Sequence, residues 1–480
     1  PRDSSPWVLP HNSGESLDLA GKVTLPIGDR HTLRLFGLRS ANQSLLYDPA
    51  YKYESSLAPG QRVTGNLLSA HLSNAIPIGE RTLILDLHTG YYTREFIRGT
   101  VTEPVDYSFG AFTGQSFQFV GEEIARAQNT AAASGPIAGF EVPGLSDRTP
   151  WGVPAFFLGG ASRGNIAWNR FRELRGQVDA TIGVNTNIDL YAGGLVAGQR
   201  VETFQRVQGY SPVGPGVPPA TASDFSPALS AAYLESQVRL GEVALTGGFR
   251  LEHFSGGEEL TADTALEGRF GPRTTWNPRI AVSTVLEGAT LVVSIGRFSQ
   301  PPDFQYLVDA AFDDTMRTGR FRRGNPNLGF ETSTQYEVSL RGRPSPGVVL
   351  RAGLYYKRLN GLVASVPLGL DPDSTFFGLT DYGTSRGLEI QVERERRDGW
   401  GARLIYTLAK STATSTSAFL LNSFPHIDPA NGDTLFPGRV DFPLDYDRRH
   451  ALTAILQGGL EEDAGPRIAG VRPLSGLEGA

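Results

Sequence analysis

The chain of 480 residues has no cysteine, a single methionine (Met316) and no long apolar run. Without cysteine there is neither a disulfide scaffold nor a thiol-based zinc site, and the chain is compatible with an oxidising compartment such as the periplasm. The longest apolar stretches, such as Ala155 to Leu158 and Leu291 to Val293, fall far short of the roughly 18 residues a membrane-crossing helix needs. The 44 basic and 50 acidic residues are scattered and sum to −6, so there is no basic tail to bind nucleic acid, which is excluded as a partner. Charged residues at 20 %, with 57 glycines and 32 prolines, exclude the collagen-like and highly charged disordered classes. The opening Pro1-Arg-Asp-Ser-Ser-Pro-Trp7 has no initiator methionine, basic region or apolar core of a signal peptide, and it reads as a cut or processed end. A length of 480 suggests about three domains, yet no linker separates them.

What is present is a period of two. Residues 169 to 183 place Asn169, Glu173, Arg175, Gln177, Asp179 and Thr181 on one face, with Leu174, Val178, Ala180 and Ile182 on the other. The same split recurs at Arg250 and Glu252 against Val243, Leu245 and Leu251, at Glu337 and Arg341 against Val338 and Leu340, and at Glu389 and Glu393 against Leu388, Ile390 and Val392. About 15 strands are predicted: 15–25, 31–42, 61–76, 81–97, 166–183, 186–207, 225–240, 242–254, 273–286, 289–300, 331–343, 347–360, 382–397, 400–411 and 448–458. Several reach the ~9 to 11 residues that cross a bilayer at a tilt.

The connections alternate between tight and long. Tight ones are Pro26-Ile-Gly-Asp-Arg30, Pro77-Ile-Gly-Glu80, Gly183-Val-Asn185, Gly241, Glu287-Gly288, Pro344-Ser-Pro-Gly347 and Asp398-Gly399; long ones cover 43–60, 98–165, 208–224, 255–272, 301–330, 361–381 and 412–447. Short turns on one side and long loops on the other are the layout of a transmembrane antiparallel β-barrel, whereas a sandwich gives no such asymmetry. If so, the leucines and valines above face lipid and the charges face the lumen. Tyr336, Tyr356 and Tyr406 fall on the apolar faces, where interfacial girdles sit. The 98–165 loop is aromatic, with Glu122 to Ala133 as its helical candidate.

Gly296-Arg-Phe-Ser-Gln-Pro-Pro-Asp-Phe-Gln-Tyr-Leu307, then Gly324-Asn-Pro-Asn-Leu328 with Glu331-Thr-Ser-Thr-Gln-Tyr-Glu337, resembles the barrel of TonB-dependent receptors, in particular the carboxypeptidase-regulatory-like branch. Tyr382 to Glu395, Gly401 to Leu408 and Pro443-Leu-Asp-Tyr-Asp-Arg-Arg-His450 fit the same order. The resemblance is strong over about 273–458 and general over 15–256. It implies a large barrel of the 22-stranded type around an N-terminal plug, in the outer membrane of a Gram-negative bacterium, taking up a scarce nutrient at the expense of the proton gradient through TonB. Against that pattern the sequence shows no TonB box, plug or terminal aromatic strand. The expectation is a partial barrel over 1–460, with three strands missing before Ser16 and four after Gly458, and an irregular tail or the start of the next strand over 461–480.

No catalytic residue, metal set or cofactor is expected. Gly160-Ala-Ser162-Arg-Gly164 matches a nucleophile-elbow pattern, but a strand rather than a helix follows it. The seven histidines never form a spaced pair; His71 and His88 alternate with apolar residues and suit lumen-facing positions. Asp441, Asp445 and Asp447, and likewise Asp371 and Asp373, lack the glycine and terminal glutamate of a calcium loop, so they read as turn carboxylates. Candidate ligand-binding residues are Arg317, Arg320, Arg322 and Arg323, whose guanidinium forks suit carboxylate or phosphate, together with Phe109, Phe112 and Trp151 for stacking. The bland alternatives are lipopolysaccharide phosphates or loop acids such as Asp313 and Asp314 for the arginines, and loop self-packing for the aromatics. The expected partners are outer-membrane lipid and lipopolysaccharide, the TonB complex through a plug outside this chain, and a small-molecule or oligomeric nutrient of siderophore, oligosaccharide or peptide type. Competing readings are a passive porin-like channel and a soluble β-rich binding module.

Overall fold

A computed structural model describes residues 12–45, 59–100, 166–206, 220–260, 273–308, 321–368, 371–397, 399–415, 417–419, 441–459, 478–479 and six positions between 426 and 435. The strands are β1 (Ser13–Ile27), β2 (His31–Leu45), β3 (Pro59–Ile78), β4 (Arg81–Thr100), β5 (Ile166–Asn185), β6 (Ile188–Arg206) and β7 (Ala220–Phe225). They continue with β8 (Ala228–Leu240), β9 (Val243–Ser255), β10 (Thr274–Leu286), β11 (Ala289–Gln300), β12 (Phe321–Arg323), β13 (Glu331–Ser345) and β14 (Val348–Leu368). The remainder are β15 (Asp371–Arg397), β16 (Trp400–Ala413), β17 (His426–Ile427), β18 (Thr434–Leu435), β19 (Phe442–Pro443), β20 (His450–Gly459) and β21 (Glu478–Gly479). The single helical element among the described residues is a 3₁₀ turn, Phe304–Tyr306.

Fifteen of these strands form one antiparallel ladder in chain order, β1 to β6, then β8 to β11, β13 to β16 and β20, each bonded to the next. They are the fifteen strands predicted from the alternation. Seven tight turns join the first fourteen ladder strands in pairs, and Gly28, Gly79, Gly241, Gly288, Gly347 and Gly399 supply the positive φ that six of them need. Where the turn has no such glycine, at 183–187, the Asn185 side chain accepts from Asn187 N–H instead.

Two expectations need correcting. Residues 361–368 and 371–381, read as part of a loop, are the upper parts of β14 and β15. The ladder runs on from Asn360–Tyr382 to Leu368–Asp371 by way of register shifts at Asn360/Leu362 and Leu362/Val363. A left-handed Gly361 carries the bulge, after which Val363 and Val366 face Leu379 and Phe376 and resume the pairing. The predicted 225–240 strand begins only at Ala228, as β8, while residues 220–224, read as part of the 208–224 loop, form β7 with Phe225; Ser226-Pro227 separates the two, and both pair with β6. Proline has no N–H to give the ladder.

One sheet face is apolar and open. Leu68, Val196, Leu174 and Leu354 are 62, 62, 61 and 55 % exposed, and Val178, Val243, Leu245, Val338 and Val392 are exposed too. Ile182, Leu340, Leu350, Leu388 and Ile390 are half-buried; none of the leucines and valines assigned to this face is buried. The opposite face holds the packed cluster described below and the paired charges Arg175–Glu173 (3.0 Å), Arg250–Glu252 (2.8 Å) and Arg403–Glu393 (2.8 Å). A soluble sandwich buries its apolar face. This sheet does the reverse, which overturns the soluble module and gives the wall of a barrel whose outer solvent is lipid.

Among the described residues no ladder joins β1 to β20. β20 pairs beyond β16 only through Gly458–Gly479 and Gly459–Glu478. Unpaired edges template pairing with another chain. Because the chain has no cysteine, a single introduced thiol reports such contacts. Ala454→Cys on β20 is expected to give disulfide-linked dimers on mild oxidation in detergent, and Ser230→Cys in the middle of the sheet to give none. Equal yields from both positions would argue against edge pairing.

Candidate functional site: the polar wall and an anchored loop

The inward face of β2 to β8 carries a connected polar network. Arg34 Nη1 donates to His71 Nδ1 (3.2 Å), so His71 keeps its proton on Nε2 and donates it to Asp86 Oδ1 (2.9 Å). His88 lies opposite His71 in the ladder, and the rings stack at 4.0 Å and 15°. His88 Nε2 is 3.8 Å from Asp179, whose two oxygens accept from Tyr233 OH and Gln177 Nε2, each at 2.7 Å. Tyr233 packs against Gly193, where an added Cβ would run into its ring. These side chains alternate with the exposed Leu68, Leu87, Val178 and Leu234, which fixes them on the lumen side.

At the long-loop end the same face is covered by an apolar cluster of Val201, Phe225, Phe254, Leu307, Leu328, Phe330, Val363 and Phe377. Phe377 is fully buried, with Tyr306 at 5.0 Å and Phe419 at 5.5 Å. The 3₁₀ turn is capped by Asp303, which accepts from Gln305 N–H. Asn325 fastens the return of the loop. Its N–H donates to Tyr306 O (2.9 Å), its Nδ2 to Phe377 O (2.7 Å), and its Oδ1 accepts from Asn327 N–H (3.0 Å). Glu331 accepts from Val363 N–H (2.8 Å); burial raises its carboxyl above the usual range and that hydrogen bond opposes the rise. Burial likewise raises the Tyr306 hydroxyl, assisted by Asp303 and Glu331.

Of the predicted site residues, the structure places two. Arg322 and Arg323 lie on β12, which runs parallel to the upper part of β15 with Arg322 opposite Thr375 and Arg323 opposite Phe376. Arg323 is half-buried. Arg317, Arg320, Phe109, Phe112 and Trp151 lie outside the described residues, as do the Glu122 to Ala133 segment and Ser162. Asp447 is a turn carboxylate: it accepts from Ser411 N–H and from Arg449 Nη2, both at 2.9 Å, and the Ser411 bond chiefly holds its carboxyl below the ordinary value. Sequence reasoning missed the Asp179–Tyr233 pair, although the parity of Leu234 and Val178 would have put both on the lumen face. It missed the Asn325 clamp because that contact crosses 52 residues and leaves no local signal.

An antiparallel wall with strands of about 10 to 27 residues, apolar outside and ion-paired inside, defines a transmembrane barrel of the outer-membrane class. The family model for the TonB dependent receptor-like β-barrel matches residues 106–458, and the chain belongs to that family. That membership puts it in the Gram-negative outer membrane, in a family of receptors and transporters. No curated protein matches the sequence. Solved structures share the fold. The outer membrane transporter YddB from Escherichia coli has a TM-score of 0.59 at 9 % identity, covering 93 % of this chain and 54 % of its own. The FrpB iron transporter from Neisseria meningitidis scores 0.55 at 12 %, covering 93 and 58 %. The ferric yersiniabactin uptake receptor FyuA from Yersinia pestis scores 0.53 at 11 %, covering 94 and 57 %. The chain thus spans little more than half the length of these proteins.

Proposed function

We propose that this barrel wall serves TonB-dependent uptake of a scarce nutrient of siderophore, oligosaccharide or peptide type, with coupling through a plug held in its lumen. The observation that carries the reading is the inward polar face: Arg34, His71, His88, Asp179 and Tyr233 present donors, acceptors and ring faces to whatever fills the lumen, and no lipid-facing wall has use for them. Residues 1–460 form the wall in this reading, and the Gly458–Gly479 pairing supports a next strand beginning within 461–480.

The ligand enters over the anchored loop. Arg317, Arg320, Arg322 and Arg323 take an anionic group on it, and Phe109, Phe112 and Trp151 stack on its rings. β12 supports this by holding Arg322 and Arg323 beside the loop end of β15.

Cells producing the intact receptor and fed a panel of labelled ferric siderophores, glycans and peptides are expected to accumulate one class, and to lose that uptake when TonB is deleted or the proton gradient is collapsed. Uptake that persists without TonB establishes the passive channel instead. Arg322→Ala with Arg323→Ala is expected to raise the half-saturating ligand concentration about tenfold, the worth of one charge-assisted contact. An unchanged concentration removes those arginines from the ligand site.

A further inference from the structure

The 3₁₀ turn Phe304–Tyr306 touches two parts of the wall that are far apart. Phe304 lies against Phe171 of β5 and Phe225 of β7, each at 6.1 Å between ring centroids. Two residues on, Tyr306 lies against Phe377 of β15 (5.0 Å) and Phe419 (5.9 Å). Along the ladder β5 and β15 are eight strand spacings apart, about 38 Å of wall. A three-residue turn that reaches both stands across the concave side of the sheet, as a bar over the lumen at its long-loop end. A solute entering beside this stretch of wall meets the bar first.

The two feet of the bar carry like charge. Asp303 directly precedes the turn, and Glu331 opens β13, where the chain returns to the wall. Both lie on the loop side of Tyr336 and Tyr356, the tyrosines at the membrane boundary. Glu331 faces Asp303 and the Tyr306 hydroxyl on the turn, Gln300 opposite it on β11, and Val363 N–H of β14. None of these is a cation, and among the described residues no ion pair engages either carboxylate. Burial is the chief reason that the Glu331 carboxyl titrates above the ordinary glutamate range; Val363 N–H opposes the rise and the charge of Asp303 adds to it. A group raised in this way stabilises the seated bar below the ordinary range, and that contribution is lost as pH climbs through the raised value.

We propose that the turn is a pH-dependent bar across the barrel mouth, seated between β5 and β15 in acid and released as Glu331 takes on charge beside Asp303. The β5 seat is made of ring contacts, whereas the β15 seat is also bonded through Asn325 to Tyr306 O and Phe377 O, so the bar parts from β5 first. Release opens the lumen to the nutrient from outside.

The proposal assigns a regulation to the uptake route proposed above and rests on that reading. Its test is amide hydrogen exchange of the full chain in vesicles between about pH 4.5 and 7.5, from the ordinary glutamate value upward, corrected for the chemical pH dependence of exchange. Peptides covering 304–308 and 325–328 are expected to lose protection about fivefold as pH rises, the scale of one weak charge contact, while the ladder of β3 to β5 is unchanged. Glu331→Gln keeps an acceptor for Val363 N–H without the charge, and is expected to hold the acid level at every pH. Asp303→Asn, which keeps the cap, is expected to move the loss to lower pH. Phe304→Ala empties the β5 seat and is expected to lower protection at every pH while leaving the response in place. A flat response in the parent, or a response that survives Glu331→Gln, overturns the switch; if that variant does not fold, an unmoved response in Asp303→Asn does so. Parental protection in Phe304→Ala overturns the bar. No nutrient is needed, so a receptor that is TonB-active with a flat response loses this proposal alone, and a responsive chain without uptake loses only the receptor reading.

Discussion

Ile390→Arg is expected to cost about 2–4 kcal/mol of folding stability in a bilayer, the price of an arginine at the lipid midplane. Ile390 stands in the outward row with Leu291, Leu340, Ala352 and Tyr406, two rows below the boundary marked by Tyr336 and Tyr356. Its neighbour in the chain, Glu389, is exposed on the opposite face. Glu389→Arg is therefore expected to stay within about 0.5 kcal/mol of the parent, as surface changes usually do. Urea titrations of the chain folded into phosphocholine vesicles measure both. Adjacent residues with equal costs would mean that the two faces of β15 meet the same solvent, and the inverted barrel would be wrong.

Phe377→Ala is expected to destabilise the loop assembly by about 3–5 kcal/mol, the usual cost of emptying a fully enclosed phenylalanine site. Phe377 packs on Tyr306 and Phe419, while its carbonyl receives Asn325 Nδ2, so one residue joins the upper β15 segment to the 3₁₀ turn and to the returning loop. The damage is local. The ladder below Asn360–Tyr382 makes no use of Phe377, so strand content by circular dichroism is expected to persist while protease cleavage within 301–330 accelerates. Asn325→Ala is expected to give a smaller loss in the same direction, about 1–3 kcal/mol, because it leaves the Phe377 carbonyl buried without a donor. Parental cleavage rates in both variants would show that the cluster does not hold the loop.

The membrane ladder was legible in the sequence because its information is local. Each spanning strand carries its own alternation, and each short turn its own glycine, so strand number, order and facing follow from parity alone. The upper parts of β14 and β15 were not legible in the same way. There the two faces cease to differ, Phe376 and Phe377 are consecutive apolar residues, and a bulge at Gly361 changes the parity on which the reading depended. The site divides along the same line. His71 and His88 were placed in the lumen by alternation, but their stacking on each other and the link through Asp179 to Tyr233 depend on register between strands, which a single strand's pattern does not state. The loop clamp is more remote still, because Asn325 and Phe377 meet only once the hairpin above the membrane exists.

Within the ladder, each of the fifteen strands bonds to the ladder strands that come before and after it in the chain. Such a wall has no central nucleus on which everything waits; its contacts are close in sequence, and it grows as a row of hairpins, much as a repeat array adds modules. Evolution can lengthen or shorten a wall of that kind by whole hairpins, changing its circumference while leaving every remaining contact as it was. The cost of that freedom is borne at the two ends of the row, which only another strand can close.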